Sequence, residues 1–470
     1  GEGEIRRVEG LLSRHVPADC TIAPLFGAMD FKAQRAAINP APSGRKIVLA
    51  TSIAETSLTI EGIRIVVDGG RARRAEFDPS SGMSRLVTTR VTQAEATQRA
   101  GRAGRMSAGE AFKLWTRGED GALAAYPPAE IESGDLSSFA LELALWGAQA
   151  DDLAFVTPPH AGRLHEAKAL LHMLGALDAN GLITLHSRSL AKLPLHPRLA
   201  HMVALGGRPA ATLAAILAER DPLRGAPLDL SHRMRAVAGE HTPGELHHAT
   251  LARIRQEAKR LTRATAPNGP EDIGTLAALA YPDRIGLRRK GDAARFVLSG
   301  GKGAVIPDGD PLAGERLIVA TDLDGDPREA RIRQGTPISE SALRAAFADQ
   351  IAWHDHCTWS RREGRVETRR QERFGALVLD DRTWADAPQE SIAQAMLEGI
   401  AQLGLRPDAA AARFLRRAAL MADQPDFPDF SEAHLMATLE EWLLPHLGAT
   451  RSTADWKRFD LLPALRARLD

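Results

Sequence analysis

Cysteine is nearly missing from this chain. Cys20 and Cys357 are the only two in 470 residues, which excludes a disulfide framework and fits a reducing, cytoplasmic setting. Lysine is scarce as well. Nine lysines stand against 51 arginines, so nearly every basic side chain is a planar fork suited to phosphate. Charge of one sign is absent in bulk: 60 basic and 60 acidic residues give a formal net charge of +0. Any nucleic-acid partner must therefore be met by local patches. No apolar run approaches the ~18 residues that read as a membrane span, no signal peptide is present, and no membrane partner is expected. What remains is ordinary globular composition, 44% hydrophobic and 26% charged, at a length that implies several domains. The first residue is Gly1, and GEGEIRRVEGLL already reads as a helix start inside a domain. We expect a fragment of a longer chain.

Residues 1–130 alternate helix-like segments (IRRVEGLL, DFKAQRAAI) with buried-strand runs (KIVLAT, IRIVVDGG). That rhythm predicts a parallel sheet covered by helices. RARRAEFD and MSRLVTTRV, flanking Pro79-Ser80-Ser81-Gly82, predict an antiparallel hairpin over 71–91. From 131 to 290 the pattern is helical, with SSFALELALWGA, HEAKALLHMLGAL, PAATLAAILAER and HATLARIRQEAKRLTRA amphipathic at helical spacing. LITLHSRSLAKLPL, between two of these, reads as a small hairpin or wing. Short strands punctuated by Gly, Pro and Asp predict a small β-barrel over 291–380, and 390–470 return to helix.

The most specific pattern is Gln98-Arg99-Ala100-Gly101-Arg102-Ala103-Gly104-Arg105. Three arginines at a spacing of three would share roughly one helical face, and the small residues between them admit a backbone or a phosphate. A row of guanidinium groups suits a transferring phosphoryl group, whose transition state spreads negative charge over several oxygens. The plainer alternative is a solvated basic helix end. The second pattern, Ala50-Thr51-Ser52-Ile53-Ala54-Glu55-Thr56-Ser57-Leu58-Thr59-Ile60-Glu61-Gly62, follows the strand KIVLA. Ser52 and Glu55 have capping-box spacing and predict a helix start, where free amides and hydroxyls could meet a nucleic-acid phosphate.

In this order the two stretches resemble motifs V and VI of the superfamily 2 helicases, in the DEAH/RHA branch. GEGEI resembles the end of motif IV in that branch, and PLFGAMDFKAQRAAINPAP the segment that follows it. LLHMLGALDANGLITLHSRSLAKLPLHPRLAHM resembles its winged-helix region. GGKGAVIPDGDPLAGERLIVATDLDGDPREARI is similar to the bacterial HrpB-type members. The resemblance covers the chain to about residue 385. It implies a multidomain fold, α/β followed by mostly α. The parts would be a second RecA-like domain with a β-hairpin (1–130), a winged helix (131–200), a ratchet-like helical bundle (201–290), an OB-like β domain (291–385) and a C-terminal helical region (386–470).

The same resemblance implies residue roles. Arg102 and Arg105 become fingers on the γ-phosphate of ATP, and Gln98 meets that phosphate or the attacking water. Thr59, Glu61 and Gly101 lie on the nucleotide side, with Glu61 where the family has Asp. Gly27, Thr51 and Ser52 touch the nucleic-acid backbone. Ile38 stands where the family stacks an aromatic on adenine, which implies weaker stacking. The hairpin matches the strand-separating hairpin; from Gly69 to Arg105, eight arginines face three acids, Glu76, Asp78 and Glu95. The implied ligands are ATP and Mg2+, held mainly by a first RecA-like domain outside these residues. The implied partner is RNA, with single-stranded DNA as the other candidate. The rival from another class is a non-catalytic scaffold that kept a degenerate motor domain; the intact arginine row argues against it.

These 470 residues contain neither G-x-x-x-x-G-K-[ST] nor a DEAH tetrad, so the chain alone is not expected to hydrolyse ATP. Gly300-Gly301-Lys302-Gly303 lacks the spacing of a phosphate loop and reads as a β-turn. Asp322, Asp324 and Asp326 alternate like a calcium loop, but Pro327 and Arg333 occupy the positions that need Gly and Glu. His354, His356 and Cys357 lack a fourth ligand, and no metal site is assigned. The helix LARIRQEAKRLTRA, five basic residues against one acid, fits a nucleic-acid channel or a solvated face.

Overall fold

The β-branched runs of the first 130 residues form strands, and the helices between them make the crossovers that parallel pairing requires. In the computed structural model α1 (Glu2–Leu12) leads to β1 (Cys20–Leu25), α2 (Phe31–Ile38) and β2 (Arg45–Ala50). The strands β1 and β2 pair in parallel, Cys20 opposite Arg45 through Leu25 opposite Ala50. Asp30 caps α2 by accepting from the Ala33 amide at 3.0 Å. A second parallel pair joins β3 (Ile65–Asp68) to β6 (Glu110–Lys113). Between them lie a hairpin of β4 (Arg71–Asp78) and β5 (Met83–Arg90), and helix α3 (Gln93–Gly101). The structure describes residues 1–470 except 28, 42, 56–59, 79–82, 292, 327, 425 and 470. The tip of the hairpin, Pro79 to Gly82, lies outside them. The described residues fall into two units, Gly1–Ala346 and Phe347–Asp470.

After the short helices α4 (Arg117–Gly121) and α5 (Glu130–Ser133) come α6 (Ser137–Trp146), α7 (Ala161–Met173), α8 (Leu185–Leu190) and α9 (Pro197–Ala218). Leu136, Ala140, Leu171 and Leu190 share one apolar core. The stretch that reads as a hairpin in sequence is mainly the helix α8. Thr184 caps it with Ser187, and a single bridge, Leu177 to Ile183, is its only strand-like pairing among the described residues. Helix α9 is long and apolar enough to cross a membrane, but 67% of that window is buried inside the fold, as in a core helix. It kinks at Gly207 (φ 59°, ψ −149°), where the Arg208 amide donates to Ala266 O at 2.8 Å. A Cβ on Gly207 would lie 2.2 Å from the Asn268 carbonyl oxygen, so only glycine fits this crossing.

The strands β7 (Leu223–Arg224) and β8 (Glu245–Leu246) bracket α10 (Leu230–Ala238), and α11 (His248–Ala264) and α12 (Ile273–Ala280) follow. Five strands then close a barrel in the order β10 (Arg295–Leu298), β11 (Gly303–Val305), β13 (Ala330–Pro337), β12 (Leu317–Leu323), β9 (Ile285–Arg288). Phe296, Ile306, Ile318 and Ile332 fill its core. Arg198 of α9 grips Asp283, at the barrel's entrance, through two hydrogen bonds of 2.6 and 2.8 Å. Gly300 to Gly303 make the β10–β11 turn. The aspartates 322–326 lie at the β12–β13 connection, where Asp324 Oδ1 accepts from the Asp326 and Arg331 amides. Helix α13 (Glu340–Ala346) ends the first unit.

The strands between 291 and 385 thus do not share one sheet. Those in the second unit form a separate antiparallel sheet, β14 (Ile351–Ser360), β15 (Arg365–Phe374) and β16 (Leu377–Thr383). Helix α14 (Gln389–Leu403) packs against it, followed by α15 (Ala409–Ala419), α16 (Glu432–Ala437), α17 (Leu439–Trp442), α18 (Thr453–Trp456) and α19 (Leu462–Arg466). Val366, Met396, Ile400, Trp442 and Trp456 form that unit's core.

One half-buried pair makes the first unit sensitive to pH. His186 of α8 and His201 of α9 meet at 2.7 Å, Nε2 to Nδ1. Burial, and then the neighbouring His186, lowers the pKa of His201 from 6.5 to about 4. The folded state binds fewer protons than the unfolded chain in that interval, so stability is full above pH 6.5 and falls as pH drops toward 4. Denaturant unfolding between pH 7 and pH 4.5 should show this slope, and His201→Gln should flatten it; an unchanged slope would show that the pair does not titrate as described.

Candidate functional site

Helix α3 begins at a capping box: the Glu95 amide donates to Thr92 Oγ1 at 3.3 Å, and the Thr92 amide donates to Glu95 Oε2 at 2.7 Å. Beyond it the three arginines do not share one face. Arg99 turns inward. Its Nε donates to Glu55 Oε2 at 3.0 Å, and its Nη1 donates to Asp68 Oδ1 at 3.0 Å and to the Arg71 carbonyl at 3.1 Å. Burial opposes its charge, but Asp68 and Glu55 outweigh burial and raise its pKa. The helix ends at Gly101. Arg102 is its C-cap and Ala103 bonds back to Ala100, so Arg102 and Arg105 lie past the helical register that would align them with Arg99. The Arg102 guanidinium donates to the Glu55 carbonyl, through Nε at 3.0 Å and again through Nη2. Arg105 is exposed and has no hydrogen-bond or ion-pair partner among the described residues. Gln98 is exposed too, and a Cβ on Gly101 or Gly104 would meet nothing within 4 Å.

Gly27 follows the carboxyl end of β1, and Thr51 and Ser52 follow that of β2, where parallel α/β sheets offer ligand sites. Among the described residues the helix predicted from Ser52 is a 3-10 turn, Ser52–Ala54, with no side-chain cap. The capping box does not form because Glu55, its fourth residue, gives its carboxylate to Arg99. Thr59 lies outside the described residues. Glu61 is exposed, and Ile38 is half-buried in the last turn of α2. Among the described residues, no group of three or more His, Cys, Asp or Glu could hold a metal ion.

Comparison with known proteins fits this arrangement. Residues 4–107 match the family model for the helicase conserved C-terminal domain. Over its whole length the chain is 36% identical to the ATP-dependent RNA helicase HrpB of Escherichia coli (strain K12), and it spans 58% of that protein. The chain thus resembles a helicase of this kind along its whole length and carries the conserved C-terminal domain at residues 4–107. A stretch covering 41% of it is 39% identical to the pre-mRNA-splicing factor ATP-dependent RNA helicase prp22 of Schizosaccharomyces pombe, of which it covers 17%. The crystal structure of the E. coli DExH-box NTPase HrpB superposes over 100% of the chain and 58% of its own, with a TM-score of 0.73 at 36% identity.

Around the arginine motif stand residues that the sequence reading passed over. Asp68 is buried, and its Oδ2 has no partner among the described residues. Arg74 of β4 donates to Glu95 Oε2 at 2.5 Å and to Thr89 Oγ1 at 2.7 Å. No local spacing signals either contact, because the partners lie 15 to 44 residues apart. Gly109 carries the clearest missed signal. A Cβ there would sit 2.1 Å from the Ala103 carbonyl oxygen and 2.6 Å from that of Arg64, so glycine lets the end of the arginine motif lie against the start of β3. Gly109→Ala should destabilise this domain by ~1–3 kcal/mol or more, the usual cost of overpacking. Its hydrogen-exchange protection should fall around α3 and β6, and protection equal to wild type would show that the close approach is dispensable.

Proposed function

We propose that the chain is the C-terminal part of an ATP-dependent RNA helicase, in which it supplies the arginine wall of the ATP site and much of the nucleic-acid track. The observation that carries this reading is the division within the arginine motif. Arg99 is held by two carboxylates, Arg102 donates to the Glu55 carbonyl, and Arg105 is exposed beside open glycines. A phosphate oxygen offers Arg102 a stronger, charge-assisted hydrogen bond than the Glu55 carbonyl does. Exchange of one acceptor for the other would turn the finger toward ATP without unfolding the motif. Arg102 and Arg105 then face the γ-phosphate as negative charge develops on it, with Gln98 orienting that phosphate or the attacking water. Thr59, Glu61 and Gly101 form the nucleotide's edge on this side. The triphosphate and its Mg2+, which neutralises phosphate charge when bound, belong mainly to a first RecA-like domain.

On the nucleic-acid side, Gly27, Thr51 and Ser52 contact the strand backbone at the strand ends, and the β4–β5 hairpin splits the duplex. Residues 131–200 act as a winged helix, 201–290 as a ratchet-like bundle including basic α11, and the barrel as an OB-like module. RNA is the substrate this reading favours over single-stranded DNA, and the cytoplasm is its setting. Arg102→Ala or Arg105→Ala in the full-length protein should lower ATP turnover by about 10³-fold or more, the range for arginine fingers, while nucleotide binding persists. Near-normal turnover in either variant would overturn the finger assignment.

A further inference from the structure

Helix α3 holds the hairpin at two points one turn apart. At its first turn Glu95 binds Arg74 at 2.5 Å, and at its last turn Arg99 binds the Arg71 carbonyl at 3.1 Å. Arg71 and Arg74 lie near the base of β4, so the i and i+4 positions of α3 fix that strand at both ends of a short lever. The same Arg99 reaches Glu55, beside the strand-contacting turn 51–54, and Asp68 at the end of β3. All three charged groups are largely buried, their side chains 17%, 11% and 7% exposed. The next arginines along the chain are Arg102 and Arg105.

We infer that Arg99, with Glu95, is a positioning residue that couples the nucleic-acid-facing hairpin and the 51–54 turn to the phosphate-facing arginines. This rests on the finger reading of Arg102 and Arg105. A displacement of the hairpin by nucleic acid cannot be absorbed at its base, because Arg71 and Arg74 are bonded to the helix. The helix carries the displacement to its own C-terminus, where the fingers begin. Glu55 adds a second link, since its side chain holds Arg99 while its carbonyl holds Arg102. Arg99 therefore serves as neither a third finger nor a solvated charge.

The test measures ATP turnover in the full-length protein with and without single-stranded RNA, for wild type, Arg99→Lys, Glu95→Gln and Arg102→Ala. Lysine keeps the charge of Arg99 but, as a single ammonium, cannot reproduce the rigid fork that spans three acceptors. Glutamine keeps the capping box while removing the charge that binds Arg74. Both should retain RNA-free turnover and KM for ATP within about twofold, yet lose roughly tenfold of the RNA stimulation, an ordinary size for coupling between sites. Arg102→Ala should lose turnover under both conditions. RNA stimulation unchanged in Arg99→Lys and Glu95→Gln would overturn the coupling. So would a fall in RNA-free turnover to the level of Arg102→Ala, which would make Arg99 a finger. Should Arg99→Lys fail to fold, judged by its thermal melt, Glu95→Gln decides alone. Normal turnover in Arg102→Ala would remove the finger reading whatever Arg99→Lys does.

Discussion

The guanidinium of Arg99 is the contact on which the N-terminal α/β domain depends. At this side chain the segment after β2, the end of β3, the base of the hairpin and α3 all meet. A buried arginine between two carboxylates gains little over a well-packed apolar cluster, because desolvating the charges offsets their attraction. Removing one member, however, leaves an uncompensated buried charge and costs about 3–5 kcal/mol. Such a group therefore specifies geometry more than it adds stability. It admits one arrangement of four segments, and the two parallel strand pairs, β1–β2 and β3–β6, are linked through that arrangement.

That constraint explains which parts of the site could be read from sequence. Motif order was legible because Gln98 to Arg105 and Ala50 to Gly62 are contiguous and compositionally unusual, and the family comparisons agree with it. The hairpin over 71–91 and the helix from His248 to Ala264 were legible because alternation and amphipathic spacing are local properties. The division of labour among the arginines was not, because it depends on Glu55 and Asp68, which lie 44 and 31 residues away from Arg99. The same long-range demand defeated the local rule at Ser52. A capping box needs Glu55 to turn back to its own backbone, and Arg99 offers that carboxylate a charged partner instead.

Strand content was also easier to read than strand partnership. The stretch from 291 to 385 is rich in strands throughout, and nothing in its alternation marks the change from closed barrel to open sheet. The marker is structural: α13 follows β13, and the ten-residue strands β14 and β15 pair with each other along their full length. A similar limit applies at α8. Leu182 to Leu195 contains enough apolar residues to read as a wing, but the Thr184–Ser187 cap starts a helix.

The spacing of the arginines gives the motif its two roles. On a continuous α-helix, residues three apart step back by about 60°, so Arg99, Arg102 and Arg105 would fan across one broad face. They would then compete for the same carboxylates or face solvent together. Ending the helix at Gly101 separates them. The last helical turn keeps Arg99 aimed at the buried acids, while the turn that follows brings Arg102 to the Glu55 carbonyl and leaves Arg105 exposed, and Gly109 lets that turn lie close against β3. A helix prolonged past Gly101 would keep the sequence of the motif and lose this separation. The glycines are therefore as much a part of the arrangement as the arginines, because they set where the helix that holds Arg99 stops and the turn that carries Arg102 and the exposed Arg105 begins.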